Sequence, residues 1–226
     1  MKAGNVEDIY ELSPLQQGIL FHSLSGSDPE LYIAQRSYRF LGQLDAGALE
    51  RAWQAVIDRH SALRTSFHWD MTNKPLQVVH RRVQLALEQH DWRDVGPSQQ
   101  QERLDAHLAT RRRSGFNPAK APLMHLSLIR LADDCYQFTW THHMMQLDGW
   151  SVPVVIKEVF VAYEAFRRAA DAPLASARPY GDYIEWLQRQ DVRKAEQFWR
   201  QLLDGFSTPT ILAVDRAPGR MLDEYD

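Results

Sequence analysis

The residues best suited to chemistry lie together in Trp140-Thr141-His142-His143-Met144-Met145-Gln146-Leu147-Asp148-Gly149-Trp150-Ser151. They sit where a β-prone run gives way to a helical one, and ionisable side chains at such a junction commonly line a site. An imidazole there exchanges its proton near neutral pH and suits general-base work. His142, His143 and Asp148 are also metal-ligating residue types. Adjacent strand residues point to opposite faces, however, so His142 and His143 do not readily chelate one ion. The third reading is a structural corner, which a histidine pair alone would favour.

The elements that must position this stretch follow from local patterns. Ser13-Pro14 reads as an N-cap and first helical residue, with Leu15, Ile19 and Leu20 as the apolar side. Tyr32 to Phe40 reads as a strand ended by Gly42. Asp45 caps a helix whose apolar stripe is Leu49, Trp53, Val56, Ile57 and Leu63. Strands are expected over 65–69, 76–80 and 83–87, the last from the alternation of Val83, Leu85 and Leu87. Ser98 and Gln101 have capping-box spacing for a helix after Pro97, with Leu104 and Leu108 inward. Leu123 to Leu131 and Tyr136 to His143 predict a hairpin turning at Asp133-Asp134.

Ser151 is expected to cap a long helix carrying Val152, Val155, Val159, Tyr163 and Phe166. A last helical block spans 180–203. Beyond Gly205 the composition becomes linker-like. Helices packed on a mixed sheet follow, an α/β arrangement in the sense of an α+β two-layer sandwich. Residues 1–205 form the expected lobe and 206–226 the linker.

Bulk properties exclude several classes. A formal net charge of -3 gives no field favouring nucleic acid or an anionic membrane surface. Cys135 is the single cysteine, so no intrachain disulfide forms. No apolar run reaches membrane-spanning length, and the first residues lack a signal-peptide core. The expectation is a soluble, cytoplasmic protein. Arg111-Arg112-Arg113 suits a helix C-terminus, and Cys135 has no identifiable base partner.

The central stretch resembles the HHxxxDG motif of the condensation domains of non-ribosomal peptide synthetases, including the continuation Gly149-Trp150-Ser151. Three further segments resemble the same family in the same order. They are Leu12-Ser13-Pro14-Leu15-Gln16-Gln17-Gly18-Ile19-Leu20-Phe21-His22, Arg59-His60-Ser61-Ala62-Leu63-Arg64-Thr65-Ser66-Phe67, and Tyr180-Gly181-Asp182-Tyr183-Ile184-Glu185-Trp186. The resemblance implies a chloramphenicol acetyltransferase-like lobe. It implies amide formation between a donor thioester and an acceptor amine, both delivered on phosphopantetheine arms of peptidyl carrier proteins. It implies no cofactor or metal held by the chain itself.

Two departures qualify the resemblance. The family has three residues between the second His and Asp, whereas His143 and Asp148 are separated by four. Counting back from Asp148-Gly149 places Met144 at the catalytic second-His position and His143 at the first. An insertion would instead keep His143 catalytic, but it must be absorbed as a bulge that flips every upstream side chain. Substitution is the favoured reading. A thioether has no proton to exchange, so Met144 cannot act as a base.

The second departure is length. Motifs expected of the C-terminal condensation lobe are missing after Leu203, so the chain alone is expected to be inactive. The resemblance makes Asp148 structural, with Arg64 as its expected ion-pair partner, against the simpler alternative that Asp148 only caps the helix from Ser151. Gly149 is expected to permit a tight turn or the close approach of a thioester arm, and Trp150 to be core. Two rival functions remain: a non-catalytic carrier-protein docking module, and an acyltransferase completed by oligomerisation.

Overall fold

The computed structural model describes residues 3–26, 28, 30–70 and 74–208. The chain divides into two units, residues 1–188 and 189–226. The first carries two sheets. A four-stranded sheet runs in the order β2 (Ile33–Leu41), β7 (Cys135–His143), β6 (Met124–Ala132), β5 (Leu87–Asp91). Its β2–β7 and β7–β6 pairs are antiparallel and its β6–β5 pair is parallel, so the sheet is mixed. The second sheet is antiparallel, in the order β1 (Val6–Glu11), β4 (Leu76–His80), β3 (Thr65–His68).

The helices of this unit are α1 (Pro14–Ser25), α2 (Ala46–Arg59), α3 (Pro97–Ser114), α4 (Ser151–Arg167) and α5 (Tyr180–Gln188). Alternation along β7 sorts its side chains between two very different faces. Tyr136, Phe138 and Trp140 pack with Trp53, Val56 and Ile57 of α2 and Val155 and Val159 of α4 in one apolar core. The rings of Trp53 and Trp140 meet edge to face at 4.9 Å. Each large side chain buried so completely contributes on the order of 1.5–3 kcal/mol. The opposite face presents Gln137, Thr139 and Thr141. There α3 is held by polar contacts, Gln35 Nε2 donating to the Leu108 carbonyl at 2.9 Å and His107 Nε2 meeting Ser127 Oγ at 3.1 Å.

Several expectations hold in detail. Asp45 accepts from the Ala48 amide at 2.9 Å and starts α2. Ser13 and Gln16 form a full capping box on α1. Others are corrected. Leu15 is 72 % exposed, so the apolar side of α1 is Ile19 and Leu20 alone. Val83, Leu85 and Leu87 are all buried as their alternation requires, yet the strand begins only at Leu87. Leu63 lies on a separate 3-10 turn, Ser61–Arg64, rather than on α2. Gly96 precedes α3 without any side-chain cap, which leaves Ser98 inside the helix. β1 was not anticipated.

The expected block over 180–203 is two helices. Asp191 interrupts it and caps α6 (Val192–Leu202), accepting from the Arg193 and Lys194 amides. α6 belongs to the second unit and has no buried residue; Phe198, Trp199 and Leu202 are all more than half exposed. Of the expected linker over 206–226, residues 209–226 lie outside the described residues. Among the described residues, no helix is long and apolar enough to cross a membrane.

Candidate active site

Strand β7 delivers the central motif. Its register with β2 is unbroken from Leu41 opposite Cys135 to Ile33 opposite His143, so no residue of β7 is looped out. His142 shares the Trp140 face, with ring centroids 4.6 Å apart. His143 points to the other face and meets Phe116 edge-on at 6.4 Å. The ladder then ends in a turn. The Met144 amide donates to the Tyr32 carbonyl at 2.9 Å and the Gln146 amide to the His143 carbonyl at 3.2 Å. Tyr32 has a φ of 62°, a left-handed conformation uncommon for a bulky residue, and its carbonyl holds residue 144 immediately beyond the strand.

The turn borders a cavity of about 550 Å3, whose wall includes Leu15, Phe67, Met144, Leu147, Asp148 and Tyr180. Met144 is 43 % exposed and lines it, while His143 is 3 % exposed and does not. His143 is committed locally, since its Nδ1 accepts the Met145 amide hydrogen at 3.1 Å. That bond places the ring proton on Nε2. Burial holds His143 at about 4, well below the ordinary histidine value, so it is neutral at physiological pH. Burial, reinforced by the Arg36 cation, holds His142 at about 4 as well, and among the described residues neither ring nitrogen reaches an acceptor or donor at full hydrogen-bonding geometry.

Three glutamines fix the turn to its surroundings. Gln16 Nε2 donates to the Met145 carbonyl at 3.1 Å, and Gln77 Nε2 donates to Gln16 Oε1 at 3.0 Å and to the Glu11 carbonyl at 3.0 Å. Gln146 Nε2 donates to the Thr65 carbonyl at 2.8 Å. Buried amides whose donors are paired in this way rigidify the segment they hold. Sequence reasoning did not single out Gln77 or Gln146. The only available signal was their polar type inside otherwise apolar strand and turn runs.

The expected pair between Arg64 and Asp148 is not formed. The Arg64 guanidinium is buried and bonded instead to Glu7 Oε2 at 2.6 Å and to the His80 carbonyl. Antiparallel pairing of β1 with β4 brings Glu7 there, a contact across 57 residues of sequence. Asp148 is exposed. Its Oδ1 accepts from the Ser151 hydroxyl at 2.6 Å and from the Ser151 amide at 2.8 Å. These bonds from Ser151 hold the carboxyl below its ordinary value, so Asp148 is anionic and caps α4.

Ser151 is thus the first helical residue rather than the cap. Trp150, expected in the core, is 87 % exposed. Gly149 does not require glycine for backbone reasons, since its φ lies outside the left-handed region. A Cβ there would meet nothing within 4 Å. Met144, Asp148 and Gly149 therefore share the turn, whereas Arg64 ends the 3-10 turn before β3 and bonds to β1 and β4.

A family model for the condensation domain matches residues 6–224. The chain is 45% identical over 219 residues to a linear gramicidin synthase of Brevibacillus parabrevis, covering 97% of this chain and 3% of that protein. It is 33% identical to bacitracin synthase 3 of Bacillus licheniformis, covering 94% of this chain and 3% of that protein. The chain thus spans only a small part of these relatives. The starter condensation domain of rhizomide synthetase RzmA superposes with a TM-score of 0.78 at 17% identity, over 90% of this chain and 50% of that one. SgcC5 of Streptomyces globisporus gives 0.70 at 25% identity, over 87% and 46%. The resemblance in fold extends to the mixed sheet and its packed helices, and the match over nearly the whole sequence makes this chain a member of the condensation domain family of non-ribosomal peptide synthetases.

Proposed function

We propose that the chain is the N-terminal half of a condensation domain in which the general-base position is held by Met144, so that amide formation is silenced in this sequence. The parent reaction joins a donor acyl thioester to an acceptor amine. The amine nitrogen attacks the thioester carbonyl carbon, a C–N bond forms and the C–S bond breaks. The departing thiolate takes up the proton that the nitrogen loses. Peptidyl carrier proteins would deliver both partners on phosphopantetheine arms, and a C-terminal lobe would close the cleft.

One observation carries this reading: Met144, not His143, lines the cavity beyond an unbroken strand ladder. The half-domain assignment draws on the chain covering 50% of the starter condensation domain it superposes on. A thioether accepts hydrogen bonds only weakly and carries no exchangeable proton. Losing a positioned base typically costs about 10²–10⁴-fold in rate. A non-catalytic carrier-docking role is the second reading, favoured by the exposure of Trp150, two residues after Asp148.

The test is reconstitution of the chain with a C-terminal condensation lobe and aminoacyl carrier proteins, with amide product followed by mass spectrometry. Met144→His is expected to raise turnover by about 10²–10⁴-fold over the native chain. Native turnover equal to that of Met144→His, and abolished by His143→Ala, would assign the base to His143 and end the proposal.

A further inference from the structure

We propose that the cavity bordered by Met144 and Asp148 binds an amine carrying an uncharged aliphatic or aromatic side chain and discriminates against ligands bearing a carboxylate. The inference rests on the proposed acyl-transfer role of this site and deepens it by naming the chemical class of the ligand.

Charge on the wall is the first argument. Among the described residues, no lysine, arginine or histidine lines the cavity, and Asp148 is its single acid. Arg64, the counter-ion that the motifs led one to expect for Asp148, is bonded instead to Glu7 and the His80 carbonyl. A carboxylate entering the cavity would lose hydration and meet no cation, while the Asp148 carboxylate repels it. An ammonium group meets the opposite field.

The remaining wall supplies the second argument. Leu15, Ile19, Phe67, Met144 and Leu187 present apolar surface, and a volume of about 550 Å3 is that of a small-molecule site. Burial of an aliphatic or aromatic side chain against them is favourable in proportion to its apolar area. The polar groups on the wall are largely occupied already. Gln16 and Gln77 are bonded to each other and to the Met145 and Glu11 carbonyls. Asp148 accepts from Ser151 yet stays exposed at the rim, where its charge still acts.

The full chain, labelled with 13C at its methionine methyl groups, provides a direct test by NMR titration. The probes are L-leucinamide, 4-methylpentanamide (the same skeleton without the amine) and L-isoglutamine, whose side chain ends in a carboxylate. The Met144 methyl signal is assigned by its loss in Met144→Leu. Leucinamide is expected to shift that signal saturably, with the Met124 methyl in the sheet core unmoved. Binding should be weaker for 4-methylpentanamide and at least about tenfold weaker for isoglutamine. Asp148→Asn, which keeps the oxygen that caps α4, should narrow the gap between leucinamide and isoglutamine.

Equal affinities for leucinamide and isoglutamine would overturn the proposal, as would a Met144 signal indifferent to leucinamide or shifts shared equally with Met124. The probes contain no thioester. Failure of Met144→His to condense substrates therefore leaves a selective titration standing, and a failed titration leaves the condensation assay to be judged by itself.

Discussion

The side-chain amide of Gln16 donates to the backbone carbonyl of Met145 at 3.1 Å, so the first turn of α1 holds the turn that follows β7. The same side chain accepts from the Ser13 amide at 3.0 Å and from Gln77 Nε2, which makes it cap and tether at once. Gln16→Ala removes both roles and strands the partners in a buried setting. The expected loss is about 1–3 kcal/mol, read from urea unfolding. Leu15→Ala, one residue away but exposed, should stay within about 0.5 kcal/mol of the parent.

Arg64 and Asp148 should behave independently. A double-mutant cycle on Arg64→Met and Glu7→Gln is expected to show a coupling of about 0.5–1 kcal/mol, modest because Glu7 is partly exposed. The cycle on Arg64→Met and Asp148→Asn should give additivity. Coupling of the second pair exceeding that of the first would restore the pairing expected from sequence.

Acid should destabilise the fold through the two histidines that end β7. Both are held near 4 in the folded state by burial, against an ordinary value of 6.5. The unfolded chain therefore binds more protons between pH 6.5 and 4, and stability falls as pH drops through that window. Each contributes on the order of 3 kcal/mol across it. His142→Phe keeps the tilted ring contact with Trp140 and removes two buried nitrogens that form no hydrogen bond among the described residues. Its unfolding midpoint should exceed that of the parent at pH 5, with the difference shrinking by pH 7.5.

Asp148 acts as a helix cap, and its substitutions should be graded accordingly. Asp148→Asn retains an acceptor for Ser151 and should change stability little. Asp148→Ala is expected to cost about 1 kcal/mol, the usual loss for a missing N-cap, well short of the penalty for breaking a buried ion pair. Thermal unfolding at neutral pH distinguishes the two. Because the Asp148 carboxyl is held below its ordinary value, its contribution is present above that value and is lost as pH falls through the folded one.

Much of the fold was legible because local patterns record which side chains turn inward. The i, i+4, i+7, i+8 stripe of α2, the Asp45 and Ser13 caps and the β6–β7 hairpin all follow from periodicity and turn chemistry within a few residues. So does the placement of the motif at a strand end, with Met144 just beyond it. Local pattern misled where burial and hydrogen bonding part company. Val83 and Leu85 alternate into the core without a strand partner, and Trp150, apolar by type, lies in solvent. Ser98 has capping spacing, but the chain was already helical one residue earlier.

Only the tertiary structure decided who meets whom. Glu7 reaches Arg64 because β1 pairs with β4, a strand that sequence reasoning left without this neighbour. Gln16, Gln77 and Gln146 converge from an α-helix, a strand and a turn far apart in sequence. Pairings of that kind depend on sheet register and on the packing of α1 beside the second sheet, and no short-range spacing encodes either. The residue types of this site were written in its local sequence; their partners were set by contacts across long loops.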